Sequence, residues 1–162
     1  MEKKIPASKA FKEYSDMVYR LAFARVKNKF DADDILQDVF IRYMKSKQEV
    51  SDLEHAKALL IRITINCTKS LFLSNARKKA APLDEFMSVD MPSRDTLEAV
   101  LNLPMKYRTV IHLHYYCGYG IDELARILDT KPSTVKSQLH RARLKLKDYL
   151  EGDEFDVQKE LL

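Results

Sequence analysis

The chain has 162 residues, 46% of them hydrophobic and 32% charged, with only 3 glycines and 5 prolines. This composition suits a globular protein of one medium or two small domains, and so little turn material favours few, long helices over many short strands. The net charge of +4 excludes a strongly acidic protein and admits a polyanionic partner without proving one.

The charge is unevenly spread. Residues 1–80 hold 17 Lys+Arg against 10 Asp+Glu, a net +7, and residues 93–150 hold 10 against 6, a net +4. Between them residues 81–92 carry 3 acids and no base, and residues 151–162 carry 5 acids and 1 lysine. Two basic bodies, an acidic joint and an acidic tail are the expected organisation. No apolar run approaches the roughly 18 residues of a membrane span, and MEKKIPASKAFKEY lacks the apolar centre of a signal peptide, so the expected compartment is the cytoplasm. Cys67 and Cys117 form no C-x-x-C pair, and His112 and His114 fall on different faces of a helix. No disulfide framework, metal site or cofactor is expected.

In chain order, residues 8–28 place Phe11, Tyr14, Val18, Leu21, Ala22 and Val26 at helical spacing. Asp31 is the expected N-cap of a second helix that runs to about Lys45, with Asp33 and Asp34 in its first turn. KSKQEVSDLEH breaks the pattern and reads as a loop. Residues 55–79 form a long apolar-rich helix ending in Arg77, Lys78 and Lys79. AAPLDEFMSVDMPS has two prolines and no period, and reads as a linker. Ser93 caps a short helix over 93–102, Pro104 opens another, and Gly118 and Gly120 end it.

IDELARIL-DTK-PSTVKSQLHRARL then has the form of a helix-turn-helix. Val135, Leu139, Ala142, Leu146 and Leu150 share one stripe of its second helix. Ser133, Thr134, Lys136, Ser137, His140 and Arg141 lie outside that stripe, near the end that enters a major groove in this motif. Hydroxyls and cations there suit phosphates and base edges, and the helix N-terminus attracts phosphate. Arg143, Lys145 and Lys147 fit solvation equally well. The turn has Asp129 where glycine is common, a mild departure because Asp tolerates the left-handed conformation.

In DADDILQDVFIRYMKS, Ile35, Leu36, Val39, Phe40 and Tyr43 form an apolar face. Asp34, Gln37, Asp38 and Ile41 lie opposite. Ile41 is either an ordinary exposed apolar residue or the centre of a docking patch ringed by Asp and Gln.

The C-terminal stretch from Pro104 to Leu150 resembles region 4 of the sigma-70 family of bacterial transcription initiation factors, especially the compact extracytoplasmic-function (ECF) group. Pro104, Arg108, Val110 to Leu113, Glu123-Leu124-Ala125, Thr134-Val135-Lys136-Ser137 and Arg141-Ala142-Arg143 carry the likeness. Response regulators have similar ends. DADDILQDVF resembles region 2.2, near D-A-E-D-L-V-Q-E-V-F in the family, and nothing in response regulators is similar to it. AKALLIRITINCTKSLFLSNARKK resembles regions 2.3 and 2.4 through Lys57, Ala58, Leu60, Arg62, Ile63 and Asn66. It departs from them at Leu59, where the family has Trp, and at Ser70, where it has Asp.

The resemblance implies an all-α protein of two small helical domains. Residues 8–79 would form region 2, residues 80–92 a linker, residues 93–150 region 4, and residues 151–162 an acidic tail. It implies core RNA polymerase as partner: Asp34, Gln37, Asp38 and Ile41 would meet the β′ coiled coil, and region 4 would hold the β flap. Promoter DNA would be read at the −10 element by Arg62, Asn66, Lys69, Ser70 and Arg77, and at the −35 element by the residues of the second helix named above. The loop from Lys47 to His55 is a candidate pocket for an extruded base. An anti-sigma protein is an implied regulator. No nucleophile–base pair is found, so an enzyme is not expected. The rival readings are a dimeric stand-alone helix-turn-helix regulator and a helical interaction domain with incidental charge. The tail is a candidate screen for the basic helix, and the linker either mimics nucleic acid or stays solvated.

Overall fold

A computed structural model of the chain describes residues 4–74 and 94–151. It divides into two compact units, split between the third and fourth helices. The described elements are α1 (Ala7–Val26), α2 (Lys29–Lys45), α3 (Leu53–Ser74), α4 (Arg94–Leu101), α5 (Met105–Ile111), a π-helical turn (His112–Tyr116), α6 (Ile121–Ile127) and α7 (Pro132–Leu150). No strand occurs among the described residues. The fold is all-α.

In the first unit α1, α2 and α3 pack each against the other two. Val18, Leu21, Ala22, Val39, Tyr43, Leu60 and Ile61 are fully buried where they meet. Each large aliphatic side chain so removed from water contributes about 1.5–3 kcal/mol. Arg25 is buried with them, and its Nε donates to Thr68 Oγ1 at 2.6 Å. The hydrogen bond offsets part of the cost of taking a guanidinium out of water.

The α1–α2 junction differs from the sequence expectation. Lys27 takes a left-handed conformation (φ 56°) and donates its N–H to Phe23 O, ending α1. Asn28, not Asp31, caps α2: its Oδ1 accepts from Asp31 N at 3.0 Å. Asn and Asp cap equally well, and the extended backbone of Asn28 decides between them. Phe30 therefore lies inside the helix. The loop ends earlier than its polar composition suggests, because Asp52 Oδ1 accepts from His55 N at 2.7 Å and starts α3 at Leu53.

The second unit surrounds α7. Val135, Leu139, Ala142, Leu146 and Leu150 are all at most 1% exposed, so the expected stripe is the core side of this helix. Leu101, Leu103, Val110, Leu113, Leu124 and Ile127 complete the core. Arg108, also buried, donates from Nη1 to Leu103 O at 2.6 Å, and burial pushes its pKa down from the usual arginine value. Pro104 serves as the N-cap of α5 rather than its first helical residue. Beyond α5 the backbone widens: Cys117 N reaches back to His112 O at 3.2 Å, an i to i+5 bond. Gly118 (φ 83°) then reverses the chain. His114 Nδ1 donates to Tyr119 O at 2.7 Å, closing the turn.

Ser93, the linker 80–92, Arg77 to Lys79 and the tail beyond Glu151 lie outside the described residues, as do the expectations placed on them.

Candidate functional site

Three helix faces gather the residues singled out from sequence. The first is on α7. Ser133, Lys136, Ser137, His140 and Arg141 are exposed and Thr134 is half-buried. From Ser133 to Arg141 the helix rises about 12 Å, the width of a B-DNA major groove. The turn before it presents this face. Leu128 N donates to Leu124 O, Asp129 N to Arg126 O, and Thr130 N to Ala125 O, with Asp129 left-handed at φ 52°. This is a Schellman closure with Asp in the usual glycine place. Pro132 then opens α7.

The two helix N-termini of the motif differ in charge. Asp122 and Glu123 stand in the first turn of α6, and Glu123 Oε1 accepts from Gly120 N at 3.1 Å. No acid stands in the first turn of α7, and no side chain caps it. Its dipole and hydroxyls are thus arranged to favour an anion, where those of α6 are not. Arg143 belongs to the packing rather than to this face. Its Nε donates to Tyr115 Oη at 2.7 Å and its guanidinium lies 5.5 Å from that ring's centroid.

The second face is on α3. Arg62, Asn66, Lys69 and Ser70 are all exposed and follow i, i+4, i+7, i+8 spacing. Ser70 Oγ donates back to Asn66 O at 3.2 Å. Leu59, where the family has Trp, is 7% exposed and packs inward. Arg77 lies outside the described residues.

The third face is on α2. Asp34, Gln37 and Ile41 are exposed, and Ile41 is not isolated. Phe30 and Met44 lie on the same stripe at i−11 and i+3, with 67% and 64% exposure against 48% for Ile41. Asp38 borders the stripe and is already engaged. Arg42 Nε pairs with its Oδ2 at 3.1 Å, and Cys67 Sγ donates to the same oxygen at 3.5 Å. Burial pushes the Cys67 thiol up to about 11, with Asp38 adding to the shift and Arg42 opposing it. Sequence reasoning missed Phe30 because it placed the helix cap three residues later, at Asp31 rather than Asn28. The i, i+4, i+7, i+11, i+14 run from Phe30 to Met44 was the available signal.

Among the described residues no group of His, Cys, Asp and Glu is arranged to hold a metal ion. No described helix is long and apolar enough to cross a membrane.

Known proteins share both halves of this arrangement. Residues 10–78 match the model for sigma-70 region 2, and residues 93–146 match that for sigma-70 region 4. The RNA polymerase sigma factor SigV of Bacillus subtilis is 35% identical over 131 residues, which cover 76% of this chain and 78% of that protein. The ECF RNA polymerase sigma factor SigE of Mycolicibacterium smegmatis is 32% identical over 157 residues. That match takes in 86% of this chain but spans only 59% of the relative. Among solved structures, the sigma factor RpoE of Bartonella quintana, determined with the anti-sigma factor NepR, has the same fold. Its TM-score is 0.70 at 22% identity, over 89% of this chain and 96% of that one. With both region models matched in order and a relative more than 30% identical over most of its length, this chain belongs to the ECF group of the RNA polymerase sigma-70 family.

Proposed function

We propose that this sigma factor docks on core RNA polymerase through the α2 stripe and directs it to promoters through the faces of α3 and α7. The observation that carries the docking half is the stripe Phe30, Asp34, Gln37, Ile41 and Met44. Three large apolar side chains left in water on one helix face, interleaved with an acid and an amide, have the anatomy of a protein interface. Residues 8–79 act as the polymerase-docking and −10 unit, with the β′ coiled coil as the surface met by Asp34, Gln37, Asp38 and Ile41. Residues 93–150 act as the −35 unit and also engage the β flap.

On DNA, Lys136, His140 and Arg141 supply charge while Ser133, Thr134 and Ser137 supply short hydrogen-bonding groups. Arg62, Asn66, Lys69 and Ser70, with the loop between α2 and α3, face the separated strand near the −10 element. Catalysis belongs to the polymerase, and the place of work is the cytoplasm. An anti-sigma protein is the regulator that the family resemblance suggests. The match to region 2 as well as region 4 favours this reading over a stand-alone regulator, which needs only the helix-turn-helix.

The test is binding of the purified chain to sigma-free core polymerase, beside an Ile41→Asp, Asp38→Arg variant. The native chain binds and the variant does not. If neither binds, the docking face is wrongly assigned. If both bind alike, the polymerase is met by another surface.

A further inference from the structure

The loop between α2 and α3 is held from outside by the segment before α1. Lys4 Nζ donates to Tyr43 O at 2.5 Å and to Ser46 O at 2.6 Å, and sits 4.7 Å from the Tyr43 ring centroid. Tyr43 Oη donates to Ile5 O at 2.7 Å. Ile5 N donates to Val50 O at 3.0 Å, and the Val50 side chain is fully buried. The ammonium is thus a cation on the C-terminal carbonyls of α2, where the helix dipole favours it. Both ends of the loop, Ser46 and Val50, are tied to two adjacent residues some forty positions earlier.

Between these ties, Lys47, Gln48 and Glu49 are exposed. Ser46 Oγ accepts from Gln48 N at 3.2 Å, so the start of this tip is also fixed. The loop feeds straight into α3, whose exposed His55 precedes Arg62 by seven residues on the same face. A single strand following the Arg62, Asn66 and Lys69 stripe therefore passes the loop tip.

We infer that Lys4 and Tyr43 are positioning residues: they set the shape of the loop 46–52 and thereby what the first unit selects in separated promoter DNA. This rests on the proposed −10 role of that unit. Neither side chain touches the strand. Lys4 acts through Ser46, and Tyr43 through Ile5 and Val50. A preorganised tip discriminates between bases because no ordering cost blurs the difference between right and wrong partners.

The experiment uses holoenzyme reconstituted from core polymerase and the full chain. Templates randomised through the −10 region, from which the wild-type holoenzyme initiates, are sequenced after open-complex capture. Three variants run in parallel: Lys4→Met keeps the aliphatic stem, Lys4→Arg keeps the cation, and Tyr43→Phe keeps the buried ring. Lys4→Met and Tyr43→Phe should each flatten the −10 base preference about fivefold, roughly the value of one hydrogen bond in positioning. Core affinity and duplex −35 binding stay unchanged, and Lys4→Arg restores the preference. An unchanged preference in both Lys4→Met and Tyr43→Phe overturns the inference. So does a parallel loss of core affinity, which marks a folding role only. If the wild-type holoenzyme itself shows no preference in this region, the −10 role has failed, and the inference falls with it.

Discussion

Asp129 offers a clean test of how the helix-turn-helix is set. It is exposed and left-handed, so its substitution probes backbone conformation with little change in packing. An L-residue with an ordinary side chain loses roughly 1–2 kcal/mol in this region, Asp and Asn lose less, and glycine loses almost nothing. Asp129→Gly should therefore stabilise the second unit by about 0.5 kcal/mol after glycine's unfolded-state entropy is counted. Asp129→Ala should destabilise it by about 1 kcal/mol, and Asp129→Asn should stay near neutral while removing the charge. The spread from Gly to Ala is then about 1.5 kcal/mol, or somewhat more than tenfold in the opening equilibrium of the turn. Amide hydrogen exchange of the full chain reads this directly at Asp129 and Thr130, whose N–H groups bond to Arg126 and Ala125. The order of protection is Gly, then Asp and Asn, then Ala. Protection in Asp129→Ala equal to or above that in Asp129→Gly would refute the reasoning.

Leu139→Ala, at a position 1% exposed, should cost about 2–5 kcal/mol in thermal or urea unfolding of the second unit. Its neighbour His140→Ala should change stability by less than about 0.5 kcal/mol while weakening promoter binding. Lys136→Ala should lower the slope of log affinity against log salt by about 1, measured by fluorescence anisotropy on promoter duplex. Cys67, whose thiol burial pushes up from the ordinary 9.0 to about 11, should react with iodoacetamide at pH 8 about 100-fold more slowly than an unshifted thiol. Because its folded pKa is the higher one, its contribution to stability is complete below pH 9 and fades as pH rises through about 11. Unfolding titrations between pH 8 and 11 check the sign.

The parts of this molecule that repeat with the helix period were legible in the sequence. Val135, Leu139, Ala142, Leu146 and Leu150 are buried as their spacing requires, and Asp129 adopts the conformation for which it is a tolerable substitute. The cap of α2 was misread because Asn28 and Asp31 are chemically equivalent caps three residues apart, and only the backbone at Asn28 separates them. That small error hid Phe30, and with it much of the apolar content of the α2 stripe. Contacts between distant positions left no trace in periodicity. Arg143 looked like one more solvated cation until Tyr115, 28 residues earlier, met it. Lys4 and Ile5 carried no pattern at all, since their meaning lies in carbonyls near residue 46.

The wide turn at His112–Tyr116 has a consequence for inherited length changes. An i to i+5 turn accommodates one residue more than an α-turn over the same rise. Removing one residue between His112 and Tyr116 would let the backbone return to regular α-helix, with little change in reach. Side chains beyond the deletion would keep nearly their present orientation, because the wide turn carries its extra residue over about one α-turn of rotation. The change would fall on the turn itself, where His112 O accepts from Cys117 N. A single-codon deletion here would therefore be absorbed locally, where the same deletion in a regular helix would twist the packing beyond it.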